Sequence, residues 1–202
     1  MNIFDPFFKA YYTSKEDILL EHLKDNTQDS DQSLLTKENY WTEVLKPSTL
    51  TDKDFKKLES KIKYKLPESF KAFYQTHFSQ EDEFGFRNIF IIGNTENDNL
   101  KSLSHYITKN GLSDLLLQLG LIPFGMYNEK WYICLDIKNN SKDPAIKLFD
   151  MNEWQQGTAA IFSDSWFSNF SAFIACMTEY IKTNSTSEFD AIDPSHNFKN
   201  VN

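Results

Sequence analysis

Apolar residues in this chain recur at steps of three and four in some stretches and at every second position in others, and these switches divide it into elements. Over 14–24 the spacing predicts a helix: Ser14 can cap it, Asp17 suits the first turn, and Ile18, Leu19, Leu20 and Leu23 supply an apolar side. The run 25–33 contains no apolar residue and reads as a loop or linker. Thr36 can cap a short second helix that Pro47 stops after Lys46. Thr51 opens a third, with Asp54 three residues on as a short form of the capping box and Phe55, Leu58 and Ile62 at helical spacing. Leu66-Pro67-Glu68 breaks the chain and restarts it, since proline suits a first helical turn; Phe70, Phe73, Tyr74 and Phe78 then form a buried stripe.

Strand signals follow. The apolar run 86–92 reads as one strand, closed by Gly93 and the polar stretch 94–99. Two short helices are expected over 100–107 and 112–119, parted by Asn110-Gly111. In the segment 121–125, Pro123 calls for a sheet edge or a bulge, because proline gives no N–H to a ladder. The stretches 130–137 and 145–149 alternate and are joined by turn residues, which predicts a hairpin. Ser163 or Ser165 can cap a closing helix whose apolar side is Trp166, Phe170, Phe173, Ile174, Met177 and Ile181. The expected organisation is α+β, a mainly antiparallel sheet with helices packed against it. A helical extension takes up 1–49, the main domain 50–182, and a loose polar tail 183–202.

Composition narrows the function. The 202 residues are 40% apolar and 15% aromatic, including 18 Phe, enough for an ordered core in which Phe takes over work usually done by Leu and Val. The net charge of −8 argues against nucleic acid, which demands a positive footprint. It suits a basic protein partner, whose approach an acidic surface accelerates. Cys134 and Cys176 each sit in an apolar run, as buried thiols in a reducing compartment do. With no signal-peptide pattern at the N-terminus and no run of roughly 20 apolar residues, the expectation is a cytoplasmic protein without a membrane span.

Candidate chemistry is sparse. The four His form no metal-binding pair and the two Cys stand 42 residues apart, so neither a metal site nor another cofactor is expected. No nucleophile-elbow or phosphate-loop motif occurs. A Cys134–His105 pair fails because the strand pattern turns Cys134 into the core, where a thiolate is disfavoured. Glu129 and Asp136 are the best carboxylate pair for hydrolysis, but Asp136 fits better as the tether of a hairpin turn. No catalytic residue is assigned, and an enzyme is not expected.

The charges, by contrast, are segregated. Glu81, Asp82, Glu83, Glu96 and Asp98 crowd into 79–100 with a single base, Arg87, while 51–71 holds seven lysines against four acids. The acidic stretch, with Glu129, is therefore the candidate partner-binding surface, for a basic protein.

The order of these signals resembles the SUKH superfamily. Its founding members are yeast-type cell-wall assembly regulators, and its bacterial members are mostly immunity proteins against secreted toxins. Leu66-Pro67-Glu68-Ser69-Phe70-Lys71-Ala72-Phe73-Tyr74 resembles the family's Leu-Pro-acidic segment, and Ile122-Pro123-Phe124-Gly125 its strand of that composition. Trp131-Tyr132-Ile133-Cys134-Leu135-Asp136, Asp143-Pro144-Ala145-Ile146 and Trp166-Phe167-Ser168-Asn169-Phe170 resemble the two strands and the helix that follow. The match spans about 50–182, while 1–49 has no counterpart in the pattern. The resemblance implies a binding role without turnover: neutralising a cognate toxin, for instance a basic nuclease, or, as the alternative, serving as a regulatory scaffold module.

Overall fold

The computed structural model describes residues 2–15, 45–79, 81–109, 111–150, 161–163, 165–183 and 198–200. The first element is α1, Asp5–Ser14, which the hydropathy pattern did not disclose. Pro6 lies in its first turn, where a missing N–H costs nothing. Phe7, Phe8, Ala10, Tyr11 and Tyr12 are all buried, so the helix has no narrow apolar stripe to betray it. Ser14 ends this helix instead of opening the next, its hydroxyl donating to the Tyr11 carbonyl at 2.6 Å. The remainder of the helix expected over 14–24, and nearly all of that over 36–46, lie outside the described residues.

Helices α2, Asp52–Ile62, and α3, Glu68–Tyr74, begin where the caps and the proline placed them. Asp54 accepts from the Thr51 backbone N–H at 3.1 Å, closing the expected box. Phe78 is buried but lies beyond α3. The run 86–92 is a hairpin, not one strand. β1, Glu83–Phe86, pairs antiparallel with β2, Ile89–Ile92, and Arg87-Asn88 makes the turn with Arg87 at φ +52°. Two polar residues between Phe86 and Ile89 suffice for the reversal, too brief an interruption to show in the pattern.

Helices α4, Lys101–Lys109, and α5, Ser113–Gln118, lead into β3, Leu121–Tyr127. β3 lies inside the sheet, between β2 and β4, so of the two settings open to Pro123 the bulge is the one adopted. The register with β4 slips between Pro123 and Gly125. A Cβ at Gly125 would collide with the Phe90 carbonyl and the Ile91 side chain. The expected hairpin is β4, Trp131–Asp136, with β5, Ile146–Asp150. Two short strands continue the meander: β6, Ile161–Ser163, and β7, Phe198–Asn200. Part of the tail expected to be loose is therefore paired with β6.

The closing helix, α6, is Phe170–Thr183. It starts later than Ser163 or Ser165, because Trp166 and Phe167 are still bound to Ile146 of β5. Asn169 supplies the cap, its Oδ1 accepting the Ala172 N–H at 2.7 Å. The architecture is α+β as expected: five antiparallel strands, β1–β5, extended by β6 and β7, with six helices among the described residues.

One sheet face, including Phe84, Ile91, Phe124, Ile133 and Leu148, forms the main core with residues of α1, α2, α3 and α6. Its centre is aromatic. The Phe73 ring lies 5.2–5.7 Å from those of Phe4, Phe7, Phe8 and Phe170. The other face carries Leu121, Tyr132, Cys134 and Phe149 beneath Leu116 of α5, with Tyr106 of α4 packed alongside. α1 packs along α6 and so shares the core of the main domain.

Candidate functional site

The acidic residues singled out from the sequence fall into three places set by the β1–β2 hairpin. Glu81, Asp82 and Glu83 lead into β1, and Glu96 and Asp98 follow β2. These segments are stitched together: the Gly93 N–H donates to the Asp82 carbonyl at 2.7 Å, and the Asn94 N–H to Ser79 Oγ at 2.6 Å. Five of the six carboxylates thus lie at one end of the hairpin. Glu129 lies at the other, in the β3–β4 turn, where the Asn128 N–H reaches the Asn88 carbonyl at 2.7 Å.

Their surroundings separate them by role. Glu81 is paired with Lys15 at 3.2 Å, and Glu96 with Lys46 at 3.5 Å. Asp98 accepts from the Ser102 N–H and Oγ at 3.0–3.1 Å and so caps α4. Asp82, Glu83 and Glu129 are exposed and have neither ion pair nor side-chain hydrogen bond among the described residues. These three keep their charge free for a visitor.

Arg87, the single base of this segment, reaches toward α6. Its guanidinium lies 5.1 Å from the centre of the Tyr180 ring and donates to the Tyr180 hydroxyl at 3.3 Å, toward α6. On the outer face of the hairpin, Glu83, Gly85, Phe90, Asn128 and Glu129, together with Arg87 and the turn beside it, line a shallow depression of ≈ 420 Å³. Gly85 leaves open space above its Cα, and Phe90 offers a half-buried ring. Carboxylates at both ends and an aromatic between them suit a lysine or arginine side chain, held by charge and by the ring face.

Helix α1 braces this edge. The Tyr11 hydroxyl receives the Gly85 N–H at 3.2 Å, which satisfies one outward donor of the edge strand, and it approaches Glu81 at 3.5 Å. Burial pushes the Tyr11 phenol up from its ordinary value. Burial opposes the charge on Lys15, but Tyr11 and Glu81 outweigh it and hold the ammonium above its usual value. Tyr11, Lys15 and Phe90 were not singled out from the sequence; their roles depend on contacts between distant segments.

The residues weighed for catalysis do not converge. Cys134 is wholly buried, which drives its thiol far above the usual range, and His105 is an exposed residue of α4. Asp136 does tether its turn, accepting the Lys138 N–H at 3.2 Å, and pairs with Lys147 at 2.9 Å. Glu129 precedes β4 and Asp136 ends it, roughly 17 Å apart by strand rise alone. Among the described residues no group of three or more His, Cys, Asp or Glu is placed to hold a metal ion. No described helix is long and apolar enough to cross a membrane.

The SMI1/KNR4 family (SUKH-1) matches residues 49–176, a span running from just before the Thr51 cap into α6 that takes in every segment on which the resemblance rested. No curated protein matches the chain.

Proposed function

The chain belongs to the SMI1/KNR4 family (SUKH-1), and from that premise we propose that it is an immunity-type protein, which neutralises a cognate secreted toxin by covering the toxin's basic surface. Proteins of this family commonly serve in immunity, and they act by binding. The observation that carries the assignment to this surface is the trio Asp82, Glu83 and Glu129, exposed and without an ion pair among the described residues. A negative field of this kind speeds encounter with a basic partner. It also opposes acidic ones, so it contributes more to rate and selectivity than to buried area. The hairpin's outer face would be one part of an interface of about 1,600 Å² in total.

The test is co-expression with the product of the neighbouring gene, followed by association kinetics over a range of salt. A stable complex is expected, with an association rate that falls steeply as salt rises. Reversing charge at Asp82, Glu83 and Glu129 together should slow association by about 10-fold or more and flatten that slope. A complex whose rate and salt dependence ignore the triple reversal would remove the patch. Failure to bind any neighbouring gene product would remove the toxin reading.

A further inference from the structure

A second charged surface lies between α2 and α4, away from the acidic edge. Lys57 and Lys61 stand four residues apart on α2, and Lys101, His105 and Lys109 four apart on α4; both rows line a cleft of ≈ 390 Å³. At 1.5 Å per residue the steps along each row are about 6 Å. One carboxylate, Asp54, shares the lining, and it is already engaged by the Thr51 N–H and hydroxyl and by Lys57 at 3.2 Å. Among the described residues Lys61 reaches only the neutral Ser104 hydroxyl, at 3.0 Å. Neither Lys101 nor Lys109 has a carboxylate partner among the described residues. In a chain of net charge −8, a cleft with three lysines lacking carboxylate partners among the described residues is a local reversal of sign.

We propose that the α2–α4 cleft binds an extended acidic segment of a partner protein, with carboxylates at alternate residues. In an extended strand such carboxylates recur every 6.6 Å or so, close to the step from Lys57 to Lys61 and to half the roughly 12 Å from Lys101 to Lys109. Leu58 and Leu100, also in the lining, are buried in the core and form the floor of the cleft. A nucleic-acid strand fits less well: the lining has no Phe, Tyr or Trp on which bases could stack. This surface is separate from the acidic edge, and either assignment can fail alone.

The experiment measures fluorescence anisotropy of a labelled peptide of alternating Glu and Ser added to the full-length protein, with an alternating Lys–Ser peptide and oligo-dT as comparisons. The Glu–Ser peptide should bind at low salt and release as salt screens the lysines. The double variant Lys61→Glu, Lys101→Glu should weaken it about tenfold or more, and the milder Lys61→Gln, Lys101→Gln should weaken it by less. Lys56→Glu, on the same helix but lining a different cleft, should change it by less than about twofold. Reversal of Asp82, Glu83 and Glu129 should leave it intact. The proposal is overturned by absence of Glu–Ser binding at low salt, by tighter binding of oligo-dT, or by an equal loss in Lys56→Glu. It is also overturned if the protein associates with itself in sedimentation and Lys61→Glu, Lys101→Glu abolishes that, since the cleft would then be filled by a second copy.

Discussion

Replacing Phe8 by alanine tests whether α1 is an integral part of the fold. The ring is buried and sits 5.5 Å from Phe7, 5.2 Å from Phe73, 5.5 Å from Phe84 and 5.1 Å from His77. Its partners belong to α3, β1 and the segment after α3, so truncation opens a void that no single neighbour can fill. Phe→Ala substitutions at such sites cost about 3–5 kcal/mol. Against a total stability of about 5–15 kcal/mol, that is about a fifth or more of what holds the fold. With a urea slope near 2 kcal/mol/M, the unfolding midpoint should fall by about 1.5–2.5 M. The assay is equilibrium urea unfolding followed by tryptophan fluorescence and far-UV circular dichroism, whose transitions must coincide. Ile3→Ala, at a side chain 72% exposed, provides the comparison and should shift stability by no more than about 0.5 kcal/mol. A Phe8→Ala midpoint within about 0.3 M of the parent, at unchanged slope, would mean that α1 unfolds apart from the sheet.

Tyr11→Phe leaves the Gly85 N–H without its hydroxyl and should cost about 1–3 kcal/mol in the same titration; an unchanged midpoint would show that the β1 edge does not depend on α1. Gly125→Ala forces Cβ against the Phe90 carbonyl, so a loss of about 1–3 kcal/mol and a lower thermal midpoint are expected, whereas Gly85→Ala, which meets open space, should stay within about 1 kcal/mol. Asp54 is held below the usual carboxylate value, first by the Thr51 hydroxyl, then by the Thr51 N–H and Lys57. Because its folded value is depressed, its contribution is complete above the ordinary carboxylate value and disappears as pH falls through the lowered one. Asp54→Ala should therefore destabilise at neutral pH, and the gap should close in acid; a gap that persists below that window would contradict the cap. Asn94→Ala takes away the acceptor for the Leu100 N–H, 2.7 Å from Asn94 Oδ1, and should cost about 1–3 kcal/mol, read by urea unfolding; no change would mean that water replaces the side chain.

The parts of the fold legible in the sequence are those whose cause is local. Thr51 and Asp54 meet within one turn, and Phe55, Leu58 and Ile62 face one core, so both the cap and the period of α2 can be read directly. α1 escapes notice because its cause is tertiary: with Phe7, Phe8, Ala10, Tyr11 and Tyr12 all buried, no polar face marks the period. The β1–β2 turn is concealed by brevity, and Pro123 left an ambiguity between edge and bulge that only the neighbours of β3 resolve. The same limit governs the site. The sign of the 79–100 stretch is visible in the sequence, but neighbours of one type diverge: Glu81 is paired with Lys15, 66 residues away, whereas Asp82 beside it is not. Sequence distance hides that difference, and with it which carboxylates are available.

The two charged surfaces meet at one short connection, which constrains how they could act together. The chain leaves β2, passes Gly93 and Asn94 beside the acidic segment, and reaches α4 and the lysine cleft within a few residues. Asn94 is only 2% exposed, and its backbone and side chain bind opposite sides of that link: Ser79 next to the acids, and Leu100 at the head of α4. Asn99 and Leu100 both have positive φ, +51° and +62°, a conformation that a leucine holds only when its surroundings impose it. Asp98 fixes the same turn by capping α4. A linker buried and bonded at both ends in this way does not behave as a hinge, so the acidic edge and the basic cleft should present themselves as one rigid pair. A partner that engaged both would then need charges of both signs at a fixed separation. That requirement discriminates between partners more sharply than either patch alone, because a mismatch at one site cannot be relieved by movement at the other.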